Sequence, residues 1–245
     1  MKIGICDYGI GGIGLYKAIR EKHSVDIVYI SDTGYTPYGK VPESELRERV
    51  IRVIQYFHNM GIEYIAVACN AASTVIPRND TTITGVIEHG VRLVSSKKPE
   101  GIVGIVGGIR TIESGVYTRL LGEKGVETHG VPAQPLSIKI EAGDIDSPEL
   151  RADIATIFEP LTNTQYILLA CTHYPVIATE IQKAVPNACL LDPVPEMCNW
   201  IEHTWPALDG NGTTQWLTTG DTLQMRISAE RAFDLKIDTI EKIDI

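Results

Sequence analysis

Short apolar runs rich in valine and isoleucine alternate along the chain with longer stretches of helical periodicity. Nearly continuous apolar strands of this kind are buried on both faces, which is typical of parallel sheets covered by helices. The first run, Lys2–Asp7, is followed by a glycine loop and a predicted helix over 15–22, and a second helix is predicted over 42–60. Further strands are predicted at 25–31, 64–68, 83–87, 102–106, 128–131, 166–170, 189–191 and 216–218.

Two segments of the chain are nearly the same: YIAVACN at 64–70 and YILLACT at 166–172. The repeat predicts an α/β fold of two similar lobes, each a parallel sheet flanked by helices, with the active site in the cleft between them. In each copy a cysteine, Cys69 or Cys171, follows the last apolar residue of the strand. Ligands bind at the carboxyl ends of strands in open parallel sheets, so both thiols are candidates for one site.

The lobe boundaries are predicted from shifts in composition. A polar stretch, SSKKP at 95–99, separates apolar segments, and LDGNG at 208–212 ends the second lobe. We therefore expect the first lobe to comprise 1–94 and 209–245 and the second lobe 95–208, with the C-terminal tail packing back on the first lobe.

The composition excludes several classes of function. Lys and Arg number 22 against 31 Asp and Glu, a net charge of -9, which is unsuited to a nucleic-acid or anionic membrane surface. No apolar stretch is long enough to span a bilayer, and Asp7 interrupts the first apolar run too early for a signal peptide. We expect a cytoplasmic protein whose five cysteines are thiols rather than disulfides.

The glycine loop after the first strand fits two interpretations. Gly9, Gly11 and Gly14 match the dinucleotide-binding pattern G-x-G-x-x-G, and Asp32 ends the next strand. A carboxylate at Asp7, however, faces a pyrophosphate with the wrong charge. The alternatives are a backbone site for another small anion and a tight turn that packs helix on strand.

Two thiols on opposite walls of one cleft suit proton transfer on both faces of a carbon atom. A thiol has an ordinary pKa near 8.5, so a modest shift lets it act as an acid or a base near neutrality. His173 lies two residues beyond Cys171, and Asp7 ends the strand predicted beside Cys69, so both can tune the thiols. A zinc site formed by Cys69, Cys171 and His173 is a weaker alternative because metal-ligand spacings are absent.

Eight segments also carry a resemblance that runs through the chain. They are DYGIGG at 7–12, SDT at 31–33 with PYG at 37–39, ACN at 68–70, GVIE at 85–88, Thr111-x-x-Ser114-x-x-Tyr117, ACTHYP at 170–175 and TGD at 219–221. These segments resemble the cofactor-independent glutamate racemases of the aspartate/glutamate racemase superfamily, and ACTHYP is the most specific of them.

The resemblance implies a two-lobed enzyme that interconverts L- and D-glutamate, needs no cofactor or metal, and is often a homodimer. In bacteria such enzymes supply D-glutamate for peptidoglycan. The resemblance assigns the acid-base pair to Cys69 and Cys171, with Asp7 and His173 as helpers. Asp32 and Glu141 match accessory carboxylates. Substrate contacts carry over to Tyr8, Pro37, Tyr38, Gly39, Asn70, Ala71, Thr111 and Thr172.

The chain departs from the family pattern at four positions. Tyr8 replaces the usual serine and Ala71 the usual threonine, so two hydroxyls of the substrate site are lost. His89 replaces a proline and Gln134 a frequent cysteine, and both are expected to lie farther from the chemistry. These departures keep two alternatives open: a racemase or isomerase for another small acidic or cyclic substrate, and a non-catalytic protein that binds an amino acid or a protein partner.

Overall fold

Two parallel sheets organise the chain in the computed structural model, which describes residues 1–78 and 80–245. All neighbouring strands run parallel. The first sheet has the order β10 (Glu241–Lys242), β9 (Thr214–Thr218), β2 (Asp26–Ser31), β1 (Lys2–Asp7), β3 (Tyr64–Val67) and β4 (Ile83–Gly85). The second has the order β6 (Thr128–Pro132), β5 (Val103–Gly107), β7 (Tyr166–Ala170) and β8 (Cys189–Leu191).

Helices connect the strands and cover the sheets, which confirms the predicted α/β class. None of the helices in the described ranges is long and apolar enough to cross a membrane. The helices are α1 (Ile13–Arg20), α2 (Glu43–Asn59), α3 (Asn70–Ser73), α4 (Val86–Ser96), α5 (Ile109–Glu113), α6 (Val116–Gly122), α7 (Gln134–Glu141), α8 (Pro148–Phe158), α9 (Ala178–Ala184), α10 (Val194–Thr204) and α11 (Thr222–Phe233).

The apolar strands are buried on both faces, as their sequence predicts. Along β3, Ile65 and Val67 pack into one hydrophobic cluster, while Ala66 between them packs into the cluster on the opposite face. Along β7, Ile167 and Leu168 likewise belong to opposite clusters. Successive side chains of a strand point to opposite faces, so a continuous apolar run is required when both faces are covered.

Two predicted strands differ from the structure by two residues at one end, four others differ by one residue at one or both ends, and one strand was not predicted. The strand predicted at 83–87 ends at Gly85, because the Val86 amide donates to Ser73 Oγ at 3.2 Å and α4 begins there. The strand predicted at 216–218 begins at Thr214. Strand β10 was not predicted because it consists of two exposed residues and has no apolar run.

The division into lobes remains a prediction at the level of individual residues. The strands of the first sheet lie within 1–94 and 209–245, and those of the second within 95–208. Helix packing crosses this division: α10 packs on α1 and α4, while α11 contacts both α1 and α7.

His89 is a buried imidazole on α4 whose protonation is linked to folding. Its Nε2 lies 2.7 Å from Thr84 Oγ1, its Nδ1 has no partner among the described residues, and its ring centroid lies 5.4 Å from that of Trp200. Burial lowers the pKa of His89 to about 3. In the unfolded chain the imidazole has its ordinary pKa near 6.5.

We predict that His89 makes the protein sensitive to acid. Between pH 6.5 and 3, His89 is protonated in the unfolded state but neutral in the folded state. The free energy of unfolding therefore falls as the pH falls. The cost is about 2 kcal/mol at pH 5. Denaturant unfolding at pH 7 and pH 5 measures this effect. The free energy of unfolding should fall between the two pH values by about 2 kcal/mol less in His89→Gln than in the parent protein. The exposed control His203→Gln should behave like the parent, and equal acid sensitivity in His89→Gln would contradict the prediction.

Candidate active site

A cavity between the two sheets contains every residue predicted to be catalytic or to contact substrate. Its empty volume is about 490 Å³ when the space open to solvent is included. The carboxyl ends of β1 and β3 supply one wall and those of β5 and β7 the other. The predicted residues that line it are Asp7, Tyr8, Pro37, Tyr38, Gly39, Cys69, Asn70, Ala71, Thr111, Cys171, Thr172 and His173.

The two thiols enter the cavity from different lobes. Cys69 lies between β3 and α3 and is buried, and Cys171 directly follows β7 and is half-buried. Burial, reinforced by the neighbouring Asp7 carboxylate, raises the pKa of the Cys69 thiol well above its ordinary value. Cys69 is therefore held as a neutral thiol, which can donate a proton.

Cys171 instead contacts a histidine. His173 Nδ1 lies 3.6 Å from Cys171 Sγ, and His173 Nε2 lies 2.6 Å from Glu141 Oε2. Burial opposes the charged imidazole, yet the hydrogen bonds with Cys171 and Glu141 raise the pKa of His173 well above its ordinary value. The raised pKa of His173 thus favours an imidazolium, which places positive charge beside the sulfur of Cys171. Glu141, predicted as an accessory carboxylate, is thus connected to the thiol of Cys171 through His173.

Asp7 joins the lobes at the base of the cavity. Its Oδ1 accepts a hydrogen bond from the Gly9 amide at 3.4 Å, and its Oδ2 accepts one from Thr172 Oγ1 at 2.8 Å. Burial raises the pKa of Asp7, although the charge of His173 and the Thr172 hydroxyl offset part of this effect. Asp7 therefore affects both sides of the cavity: electrostatically the thiol of Cys69, and by a hydrogen bond the residue after Cys171.

The glycine loop permits close contact between the lobes. A Cβ atom on Gly9 would lie 2.1 Å from Glu141 Oε2, and one on Gly11 would lie 2.2 Å from Thr172 Oγ1. The Ile10 amide donates to Glu141 Oε2 at 3.0 Å. Side chains of the second lobe thus occupy the position that a pyrophosphate would take in the dinucleotide interpretation. The anion beside this loop is a carboxylate of the protein itself.

Asp32 lies outside the cavity and fixes one of its walls. It accepts hydrogen bonds from Tyr38 Oη at 2.6 Å, from Arg49 Nε at 2.9 Å and Nη2 at 2.5 Å, and from Thr219 Oγ1 at 2.8 Å. Because Tyr38 lines the cavity, Asp32 acts on the site by positioning that ring. The tilted ring of Tyr8 packs 5.1 Å from Tyr38, centroid to centroid.

Asn70 has an unused donor. Its Oδ1 accepts a hydrogen bond from Tyr117 Oη at 2.8 Å, which fixes the orientation of the amide. Its Nδ2 is buried and has no partner among the described residues. Since a buried donor without a partner is costly, this amide is suited to hold a ligand oxygen. The neighbouring Ala71 offers no hydroxyl beside it.

Five further residues line the cavity, and one of them corrects an expectation; they are Gly108, Arg110, Gln134, Ser137 and Ala170. Gln134, expected to lie farther from the chemistry, belongs to the lining because α7 begins there, beyond the carboxyl end of β6. Its Oε1 accepts a hydrogen bond from the Ile109 amide at 3.3 Å, and its Nε2 donates to Ser137 at 2.9 Å. Gly108 and Arg110, which follow β5, were missed, as was Ser137. The signal in the sequence that could have identified them is that they follow predicted strands.

The donor set does not fit the zinc alternative. Both ring nitrogens of His173 already contact Cys171 and Glu141. Within residues 1–78 and 80–245, no group of three or more His, Cys, Asp and Glu side chains is arranged to hold a metal ion.

Comparison with known proteins agrees with this geometry. Residues 17–199 match the model of the family described as Asp/Glu/Hydantoin racemase. A glutamate racemase of Aquifex pyrophilus is 32% identical over 200 residues, which cover 78% of this chain and 78% of that protein. One of Persephonella marina is 28% identical over 257 aligned residues, covering 100% of this chain and 98% of the relative.

A solved structure extends the likeness to the fold. The glutamate racemase of Thermus thermophilus in complex with beta-chloro-D-alanine has a TM-score of 0.88 and 25% sequence identity to this chain. The match covers 100% of this chain and 97% of that structure. By sequence and by fold, the chain belongs to the Asp/Glu/hydantoin racemase family.

Proposed function

We propose that the protein interconverts L- and D-glutamate without a cofactor, by proton transfer between Cys69 and Cys171. The curated relatives named glutamate racemases support the reaction. The observation that carries the mechanism is the pair of thiols that reach one cavity from opposite lobes. The related Thermus structure, which holds an amino-acid analogue, supports an amino acid as the ligand of this cleft.

The reaction needs one base and one acid on opposite faces of the α-carbon. One cysteine, as a thiolate, takes the α-proton, and the electron pair left behind delocalises into the α-carboxylate. The other cysteine, as a thiol, returns a proton to the opposite face. The product is the mirror image, and each sulfur ends in the state in which the other began. Proton transfer by positioned groups contributes about 10² to 10⁴ to a rate.

The two thiols have different surroundings before L- or D-glutamate binds. The Glu141–His173 pair places positive charge beside Cys171, whereas burial and Asp7 favour the neutral thiol of Cys69. Charge that develops on the substrate carboxylate is stabilised by Asn70 Nδ2, the unused donor, and by backbone amides at the start of α3. Asp7 is suited to the substrate ammonium group because it is a carboxylate at the base of the cavity.

A second candidate substrate is aspartate. The phenol ring of Tyr8 lines the cavity where the family usually has a serine, and bulk at this position favours a shorter side chain. Incubation with L-glutamate and with L-aspartate in deuterium oxide, followed by proton NMR and polarimetry, decides between the two. Faster loss of the α-proton and of optical rotation from aspartate than from glutamate would show that aspartate, not glutamate, is the substrate.

We further propose that the enzyme acts as a homodimer in the cytoplasm, where it supplies D-glutamate for peptidoglycan, as the family resemblance implies. Large apolar side chains that are exposed in the single chain support a second protein surface, among them Ile138 and Leu223, which are 57% and 63% exposed. Light scattering coupled to gel filtration should give twice the mass of one chain. A monomer at micromolar concentration would contradict the dimer.

The cysteine mechanism predicts complementary defects in two variants. Cys69→Ser and Cys171→Ser should each lower racemisation by about 10²- to 10⁴-fold, because one face of the α-carbon loses its acid or base. The remaining thiol still reaches its own face, so each variant should exchange the α-proton of one enantiomer only, and the two variants should select opposite enantiomers. Proton NMR of L- and D-glutamate in deuterium oxide measures both effects.

The matched control is Cys189→Ser, because Cys189 is exposed on the edge strand β8. This variant should racemise glutamate like the parent protein. Racemisation at the full rate in either site variant, or exchange of the same enantiomer by both, would contradict the two-base mechanism.

The role of Glu141 predicts a change in the pH profile. Glu141→Gln replaces the carboxylate with a neutral amide of the same shape, so the pKa of His173 falls and the imidazolium is lost at a lower pH. The alkaline limb of kcat/KM should move down by about one pH unit or more. Glu149→Gln, an exposed change on α8, should leave the profile unchanged. An unshifted alkaline limb in Glu141→Gln would show that Glu141 does not hold the charge of His173.

A further inference from the structure

Arg110 is a cation in the cavity that the family resemblance does not explain. It lies on α5, directly before Thr111, and lines the cavity. Its Nη2 donates a hydrogen bond to the Val41 carbonyl, across the cleft in the first lobe. Its Nε is buried and has no partner among the described residues. A guanidinium carries five N–H donors, so most of its capacity is free.

The ion pairs of the described residues leave Arg110 without a carboxylate partner. Among the described side chains that line the cavity, the positive ones are Arg110 and His173. His173 is already balanced by Glu141 at 2.6 Å. Arg110 therefore supplies the uncompensated positive charge in a cavity that also holds the carboxylate of Asp7.

The position of Arg110 indicates which part of a substrate it meets. Asn70 and Thr172 directly follow the two thiols and so lie beside the reacting α-carbon. Helix α5 contacts the segment Tyr38–Lys40 of the first lobe as well as α3, which begins at Asn70. Arg110 thus reaches the cavity from a third element of the wall, so a substrate whose α-carboxylate is held by Asn70 would present its second carboxylate to Arg110.

We propose that Arg110 determines specificity by binding the side-chain carboxylate of the substrate. This inference rests on the proposed racemase function and names a contact within the same site. The guanidinium pairs with the distal carboxylate while its Nη2 holds Val41, so the charge that selects the substrate also ties the two walls together. A substrate with a neutral amide in place of this carboxylate loses the charge-assisted hydrogen bonds.

The test compares glutamate with glutamine, which has the same length but a neutral side chain. The parent protein should prefer glutamate roughly ten- to hundredfold, both in kcat/KM and in equilibrium binding, since this is the usual effect of hydrogen bonds to a charged group. Arg110→Met should lose this preference, mainly through a higher KM for glutamate with kcat little changed. Arg110→Lys, which keeps the charge, should retain part of it.

The matched control is Lys40→Ala. Lys40 is an exposed cation that lines a neighbouring pocket with Ile138 and Gln224 but does not line the cavity of the thiols, so its loss should leave the preference unchanged. If Arg110 only ties the lobes together through Val41, Arg110→Met will weaken glutamate and glutamine equally and keep their ratio. That result, or a preference lost in Lys40→Ala instead, would overturn the proposal.

Binding by isothermal titration calorimetry separates this proposal from the proposed function. If the parent protein exchanges the α-proton of neither amino acid, the racemase function fails. The binding arm still decides the role of Arg110, because preferential binding of glutamate that disappears in Arg110→Met supports it without catalysis. A parent protein that binds both amino acids equally, or binds neither, would refute it.

Discussion

The hydrogen bonds that join the two lobes under the cavity are the constraint on which the site depends. Thr172 Oγ1 donates to Asp7, and the Ile10 amide donates to Glu141. Glu141 and Thr172 approach the glycine loop so closely that a Cβ atom on Gly9 or Gly11 has no room. An unsatisfied buried polar group costs about 1 to 3 kcal/mol, so separating the lobes at this point is unfavourable. The thiols are held across the cavity because each belongs to a lobe fixed in this way.

The same hydrogen bonds make the two sides of the cavity electrostatically unequal. Glu141, which ties the second lobe to the loop, also keeps His173 charged beside Cys171. Asp7, which accepts the bond from Thr172, disfavours a thiolate at Cys69. For a racemase the two enantiomers have equal free energy, so kcat/KM must be the same in both directions however unequal the thiols are. Under the proposed mechanism, the unequal surroundings of the two thiols instead let kcat and KM differ between the enantiomers.

The sequence predicted the site residues that directly follow a buried strand. The apolar run before Cys69 and its near copy before Cys171 predicted two parallel sheets and one shared cavity, because strand ends in such sheets meet at one edge. The glycine pattern was ambiguous by itself, since tight packing against Thr172 and a phosphate site require the same residue. The two interpretations differ only in what contacts the loop from across the cleft, and the sequence does not show that Thr172 and Glu141 do so.

Residues carried by helices after the strands were harder to predict. Gln134 and Arg110 line the cavity because β5 lies beside β7 and β6 lies beside β5, and this strand order depends on long-range pairing that no local pattern records. The short strand β10 was missed for a related reason: its two exposed residues pair with β9 without any apolar signal. Local periodicity identifies an element, whereas tertiary pairing decides which side chains share a site.

The walls of the cavity differ in what they can recognise. On the first lobe, Tyr8 and Ala71 remove two hydroxyls that the family usually presents, and the hydroxyl of Tyr38 is already bound to Asp32. That wall therefore offers aromatic surface and the Tyr8 phenol in place of two smaller hydroxyls. On the second lobe, Arg110 has free donors and a full charge. A hydroxyl selects a ligand by the geometry of a hydrogen bond, whereas a guanidinium adds a full positive charge to directed donors, so in the proposed site Arg110 supplies a selection by charge that the phenol of Tyr8 does not provide.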